Sequence, residues 1–225
     1  MSSDDQLQGE FNAWARAGRG EEMESHHLSI AEQTIQLMGI KPGERLLDLG
    51  CGTGWASRRL ARLAGQVVGL DISDEMVHRA REQARDLDNL LFVWGSAQEI
   101  PWEENYFDKV LSIESFYYYP DQELVLRELF RVLAPGGRLF LLMNLYRENP
   151  YSLRWVEQLQ VSVHARSEAE YVQMLQAHGF EAVEALRIPD LTPTPTEYTG
   201  KWFRNAEELR EFKRLGALLV IGRKP

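Results

Sequence analysis

The sequence predicts an α/β domain wound on a mostly parallel sheet. Three observations predict it. Short apolar runs alternate with stretches of helical periodicity between residues 45 and 144, a glycine-rich turn directly follows the first run, and 225 residues suffice for one sizeable core but are short for two. Buried parallel strands read as apolar runs bounded by turn residues, which is the pattern here.

The first expected strand covers residues 45–49 and ends in glycines; a helix at 55–63 follows. A second strand at 67–70 leads to Ser73, an N-cap residue, and to a helix through Met76, Val77 and Ala80 as far as about residue 86. Residues 90–94 and 109–113 read as strands three and four. A helix at 122–133 stops at Pro135-Gly136-Gly137, and 138–144 returns as strand five. This rhythm implies right-handed β-α-β crossovers. Further on, Ser167 caps a helix running to Gly179, strands at 180–187 and 217–222 follow, and a short charged helix spans 206–215.

Three segments have no place in the sheet: 8–38, whose second half looks helical, 146–166, and the Pro- and Thr-rich 189–205. Long connections in compact domains tend to be lids or binding loops, and ligands of open α/β sheets sit at the carboxyl ends of the strands. The segments are therefore read as covers over that edge. The domain organisation is a single unit, 1–225, with an N-terminal helical cover at 1–40, a cofactor-binding core at 41–145 and covering insertions at 146–166 and 189–215.

Composition narrows the function. With 25 basic and 34 acidic residues, a formal charge of −9, the chain shows no basic stripe to replace phosphate counterions, so nucleic acid is not an expected partner. The stretch from Met1 to Gln6 lacks the pattern of a signal peptide and no apolar run is long enough to span a bilayer, so a cytoplasmic location is expected. The lone cysteine, Cys51, excludes an internal disulfide and a Cys-based zinc site, and no metal site is expected.

The turn Asp48-Leu49-Gly50-Cys51-Gly52-Thr53-Gly54 carries the sharpest signal. Three glycines in five residues let the chain turn tightly and let a ligand touch the backbone. Dinucleotide sites use Gly-x-Gly-x-x-Gly, whose third glycine would fall at Trp55, and no phosphate-loop lysine follows Gly54. The turn therefore fits a nucleoside better than a phosphate. Asp71, 17 residues past Gly54 at the end of strand two, stands where a doubly wound nucleotide site places an acid for the ribose hydroxyls.

Together, residues 46–55, residues 68–73 and the Pro135-Gly136-Gly137 turn resemble the class I S-adenosylmethionine-dependent methyltransferases, in their small-molecule branch. The resemblance is strong over 41–145 and extends to 165–188 and 216–224. It implies a Rossmann-like, doubly wound seven-stranded sheet, mostly parallel with the last strand antiparallel and helices on both faces. It also implies S-adenosyl-L-methionine as cofactor and S-adenosyl-L-homocysteine as product. Asp48 would lie near the methionine amino group, Gly50, Cys51 and Gly52 against the methionine and ribose, Asp71 on the ribose diol and Ile72 against adenine. Where the family often has Gly-Asp-Ala, this chain reads Gly95-Ser96-Ala97-Gln98, so the adenine-facing carboxylate is missing and Ser96, Ala97 and Gln98 occupy its place. Ile113 and Glu114 would line the cofactor's rim.

An activated sulfonium methyl needs an aligned acceptor and the exclusion of water, and a base only if the acceptor arrives protonated. His26, His27 and Tyr117 are the candidates for such a role. The plainer reading of the two histidines is a solvent-exposed pair at a helix start, and His78, His164 and His178 read as surface residues. Phe116-Tyr117-Tyr118-Tyr119 follows strand four, and four adjacent aromatics cannot all enter one core. With Trp155, Trp202 and Phe203 they would line an apolar cavity for a small-molecule acceptor, or pack the lids down. The competing function is a non-catalytic S-adenosylmethionine-binding sensor or partner protein of the same fold.

Overall fold

In the computed structural model, which describes residues 3–159 and 161–225, seven strands pair into one sheet. Met1, Ser2 and Gln160, included in the boundaries expected above, lie outside the described residues. The strands are β1 (Arg45–Leu49), β2 (Gln66–Asp71), β3 (Leu90–Trp94), β4 (Phe107–Ile113), β5 (Leu133–Met143), β6 (Glu181–Ile188) and β7 (Ala217–Arg223). They lie in the order β3-β2-β1-β4-β5-β7-β6. The first five are mutually parallel, and β7 runs antiparallel to both of its neighbours. Strand order reverses between β1 and β4, which opens a crevice at their carboxyl ends.

Around the sheet lie α1 (Ser3–Arg16), α2 (Arg19–Met38), α3 (Trp55–Ala61), α4 (Asp74–Gln83), α5 (Gln122–Val132), the single turn α6 (Pro150–Leu153), α7 (Glu168–Ala177) and α8 (Ala206–Leu215). The period-two alternation of the strands sorts their side chains onto two faces. Leu47, Leu49, Leu139, Leu141 and Val220 point to the face covered by α5 and α7. Leu46, Phe140, Leu142 and Leu219 point to the opposite face, against Ile30, Ile35 and Met38 of α2 and Leu60 of α3. Local caps agree with this plan: Ser73 accepts a hydrogen bond from the Met76 N–H, and Ser167 with Glu170 forms a reciprocal capping box at the start of α7.

Three expectations change. The N-terminal cover is two helices, because Gly18 takes a left-handed conformation (φ 72°) that ends α1 and starts α2. His26 and His27 consequently lie inside α2, not at a helix start, and helical spacing puts His27 on its buried side with Ile30 and Thr34 while His26 faces out. Strand five begins at Leu133, before the Pro-Gly-Gly turn, because Leu133 already pairs with Phe107 and the ladder resumes after a register shift at Arg138.

Gly54 carries a close approach between the turn, β3 and α4. A Cβ at Gly54 would overlap the Phe92 ring of β3 and crowd Ala80 of α4, and its φ is +73°. Replacing Gly54 with Ala should therefore lower folding stability by about 3 kcal/mol, seen as a lower urea midpoint at unchanged m-value.

Candidate functional site

Four neighbouring strand ends build one cleft. Asp48 and the 50–54 turn come from β1, Asp71 and Ile72 from β2, Ser96, Ala97 and Gln98 from the loop after β3, and Ile113 and Glu114 from the end of β4. The cleft thus gathers Asp48, Gly50, Cys51, Gly52, Asp71, Ile72, Ser96, Ala97, Gln98, Ile113 and Glu114 onto one wall. Leu7, Phe11 and Trp14 of α1 and Met23 and His27 of α2 roof it.

Positive φ at Gly50, Gly52 and Gly54 turns the chain beneath this roof. A Cβ at Gly50 would run into Ser115, whereas one at Gly52 would meet no protein atom within 4 Å and would point into open space. Gly52 is thus the place where the turn leaves its backbone bare. Asp71 locks the turn: its Oδ2 accepts from the Gly52 N–H at 2.8 Å and its Oδ1 from the Ser73 N–H at 2.8 Å. Ser57 of α3 donates to Asp48 Oδ2 at 2.5 Å.

The cleft is acidic. Asp4, Asp48, Asp71 and Glu114 line it, and among the described residues lining it there is no Lys or Arg. Burial pushes Asp48 up to about 6, against the hydrogen bond from Ser57 and with the charge of Asp71 adding to the rise. Asp71 is raised by burial too, against the donors at Ser73 and Gly52. Desolvated carboxylates favour a cationic ligand and would repel a diphosphate. A sulfonium nucleoside bearing an ammonium group fits this donor set. Cys51 does not offer a nucleophile, since burial holds its thiol far above the ordinary range and its side chain packs with Val77, Ala80 and Phe92.

A second pocket adjoins the first. His27, Glu114, Tyr118, Trp14 and Met23 line both. The second is walled by Tyr117, Trp155, Tyr198, Trp202, Phe203 and Phe212, with His26, Asn144, Asp190 and Lys213 among its polar members. Phe116–Tyr118 form one 3₁₀ turn closed by Tyr119, and, against the expectation, all four aromatics are buried in one core cluster because the tight turn fans them out: Phe116 packs on Tyr171, Tyr117 and Tyr118 face the second pocket, and Tyr119 faces the cleft. Of the remaining histidines, His78 is exposed while His164 and His178 are half-buried.

Glu114 sits on the wall between the pockets with φ 54°, a backbone conformation that non-glycine residues hold only under surrounding constraint. The Tyr117 hydroxyl donates to its Oε2 at 2.9 Å and the Asn144 N–H to its Oε1 at 2.6 Å. Burial raises its carboxyl to about 7, against these two donors. His27 is held down to about 4, by burial first and by His26 second, so it is neutral at pH 7. Asp4, Trp14, Met23 and Asn144 were not singled out from sequence. The Leu7, Phe11, Trp14 spacing, one stripe of a helix, was the available signal for α1.

Residues 47–141 match the methyltransferase-domain family. Over nearly its full length the chain also resembles a protein of known structure, a chain in the complex between the Haloferax volcanii Trm112 methyltransferase activator and a protein described as a methyltransferase. That match has 35% identity and a TM-score of 0.91, and covers 96% of this chain and 98% of the other. The chain belongs to the class I S-adenosylmethionine-dependent methyltransferases. Among its relatives, the ubiquinone/menaquinone biosynthesis C-methyltransferase UbiE of Vibrio cholerae is 38% identical over 115 residues, 48% of this chain and 44% of that protein. The sterol 24-C-methyltransferase ERG6B of Gibberella zeae is 32% identical over 197 residues, 83% of this chain and 51% of that protein. The methyltransferase chain spans about half the length of these curated relatives. Its sheet has the family's mixed topology, and no described helix is long and apolar enough to cross a membrane.

Gly52→Ala separates ligand from fold. With no protein atom in the way, the variant should lose only about 1–2 kcal/mol from its left-handed φ. Its affinity for S-adenosylhomocysteine, measured by calorimetry, should fall at least about tenfold, because the new methyl enters the ligand's space.

Proposed function

We propose that this chain transfers a methyl group from S-adenosylmethionine to a carbon of a small, largely apolar acceptor held in the aromatic pocket, with Glu114 receiving the proton that the acceptor loses. The observation that carries this is the position of Glu114, buried on the wall shared by the two pockets. A protein that only sensed S-adenosylmethionine would have no use for the second pocket, so the enzyme reading is preferred.

When bound, the cofactor supplies an electrophilic methyl on a positively charged sulfur. Asp48 holds the methionine ammonium, the bare backbone from Gly50 to Gly52 supports the methionine and ribose, and Asp71 accepts from the ribose hydroxyls. Ile72 and Ala97 flank the adenine. The roof formed by α1 and α2 excludes water, which removes the commonest competing nucleophile.

The acceptor pocket adds two clues. Its aromatic walls suit a flat or prenyl-like apolar molecule. The Trp155 indole N–H is buried there without a partner, and a buried donor in that state costs stability that a hydroxyl or carbonyl oxygen on the acceptor would recover. The relatives named for quinone biosynthesis and for sterols modify carbon in oxygen-bearing apolar molecules, which accords with this reading. Methylation at such a carbon forms a C–C bond, breaks the C–S bond and releases a proton. Glu114, raised to about 7, is poised to accept that proton near neutral pH. His27, neutral and on the same wall, adds a polar but uncharged edge.

With quinol- and sterol-type acceptors and labelled S-adenosylmethionine, kcat/KM should climb with pH to a plateau above about 7 as Glu114 ionises. Glu114→Gln should lower kcat by at least about 100-fold, keep S-adenosylhomocysteine affinity within about threefold and flatten the profile. The same variant reports on stability. Because the folded Glu114 carboxyl titrates above its unfolded value of 4.5, the folded chain binds the extra proton between 4.5 and about 7, and stability from this group falls as pH rises through that window. Glu114→Gln should therefore gain on the parent by about 3 kcal/mol at pH 8, a gap that closes towards pH 4.5. A Glu114→Gln enzyme of full activity would overturn the assigned role.

We further propose that the chain takes a protein partner on the open edge of its sheet. β3 is the terminal strand, paired only with β2 among the described residues, and it exposes Leu91 and Trp94, while Arg81 donates to the Phe92 carbonyl on its outer side. Long apolar edge strands are normally masked, and β-augmentation by a partner masks them. The similar Haloferax chain was solved in complex with an activator, which supports the idea of a small partner protein. Leu91→Lys with Trp94→Glu should abolish co-purification with a co-expressed Trm112-type protein and leave S-adenosylhomocysteine binding within about threefold. Undiminished co-purification would place the partner elsewhere.

A further inference from the structure

We infer that Asp4, in the first turn of α1, reads the purine base of the cofactor, accepting a hydrogen bond from the 6-amino group and rejecting a 6-oxo purine. The inference rests on the proposal that S-adenosylmethionine occupies the cleft.

Asp71 marks the ribose position, so the base extends from there towards the loop after β3, between Ile72 and Ala97. That end of the cleft is polar through three side chains, Ser96, Gln98 and Asp4. The first two are already committed to the third. Ser96 Oγ donates to Asp4 Oδ2 at 2.7 Å, and Gln98 Nε2 donates to Asp4 Oδ1 at 2.5 Å. The Ser96 oxygen also accepts from the Gln98 N–H at 3.1 Å. What the loop presents to a base is therefore a carboxylate borrowed from a helix more than ninety residues away in sequence, held by a donor on each oxygen. Each oxygen keeps a free lone pair.

The rest of α1 is fixed so that this carboxylate stays in place. Asn12 Nδ2 donates to Asp74 Oδ1 at 2.8 Å, Gln8 Nε2 donates to the same oxygen at 3.2 Å, and Ser73 Oγ donates to Asn12 Oδ1 at 2.6 Å. Arg16 pairs with Glu75 at 3.0 Å. Leu7 and Phe11 pack downward on the cleft side, so the helix is held from both sides as its first turn reaches the Ser96 loop. A carboxylate at this point accepts from the exocyclic amine of adenine. Against hypoxanthine it would face a carbonyl oxygen, and two acceptors without a shared proton repel.

The test is calorimetric titration of the full chain with S-adenosylhomocysteine and with S-inosylhomocysteine, its 6-oxo analogue. The parent chain should prefer the adenine ligand by more than about tenfold. Asp4→Ala, and the isosteric Asp4→Asn, should weaken S-adenosylhomocysteine binding by about 10- to 100-fold, the range of a hydrogen bond to a charged group, and affect the 6-oxo analogue far less, so that discrimination collapses. Adding Ser96→Asp to Asp4→Ala, which puts a carboxylate on the loop itself, should restore most of the preference. If both Asp4 variants weaken the two ligands equally, Asp4 merely docks the helix and the inference is wrong. Variants that keep the parent's preference sink it as well. If the parent chain binds neither ligand, the cofactor proposal itself falls, an outcome distinct from either of these.

Discussion

Two backbone N–H groups, from Gly52 and Ser73, converge on the carboxylate of Asp71. Through the first, the glycine turn after β1 is tied to the end of β2, which fixes where backbone is left bare. Through the second, the N-terminus of α4 is set, and Ser73 then caps that helix and donates to Asn12 of α1. One buried acid thus coordinates the turn, the neighbouring strand and the roof. A charged group at this depth is expensive in an empty cleft, and its two donors cover only part of that cost. On the proposed reading, a cationic ligand with ribose hydroxyls to donate supplies the rest.

The same logic extends across the cleft. Asp48 and Glu114 are raised by burial like Asp71, and no cation among the described lining residues neutralises them. The folded chain keeps acids in a place that water would serve better, and binding energy is the return. His27 runs the opposite way, its imidazole kept neutral, so the wall between the pockets holds one group that gains a proton readily and one that does not. That pairing accords with the proposed transfer of an acceptor proton to Glu114.

Much of the sheet was legible because its code is local. Alternating apolar runs and capping residues depend on near neighbours, and Ser73 and Ser167 cap where their residue types indicate. The eleven residues singled out around the glycine turn and the strand ends all line one cleft, since they hang on strands whose register follows from the same pattern. The roof was harder to read. The break at Gly18 looked like any surface glycine, and without it His26 and His27 fell at a helix start instead of mid-helix, where only one of them is buried. Asp4 gave no local signal at all, because its meaning lies in Ser96 and Gln98. The aromatic pocket was foreseen as residue types but not as a shape, since loops 146–166 and 189–205 carry no periodicity from which to place them.

The polar clamp on α1 has a consequence for the order in which this protein assembles. Its contacts span 61 residues from Asn12 to Ser73 and 94 from Asp4 to Gln98, a reach like that of the strand pairs Leu46–Lys109 and Arg138–Arg223, but α1 buries only Leu7 and Ala15 behind them. Long loops closed with so little apolar burial form late, and the exposed hydrogen bonds from Gln8 and Asn12 to Asp74 and from Arg16 to Glu75 are the first to reopen. Helix α1 is then the last to settle and the least protected against exchange with solvent. The end of the cleft lined by Ser96 and Gln98 breathes at a rate set by α1, not by the core of the sheet.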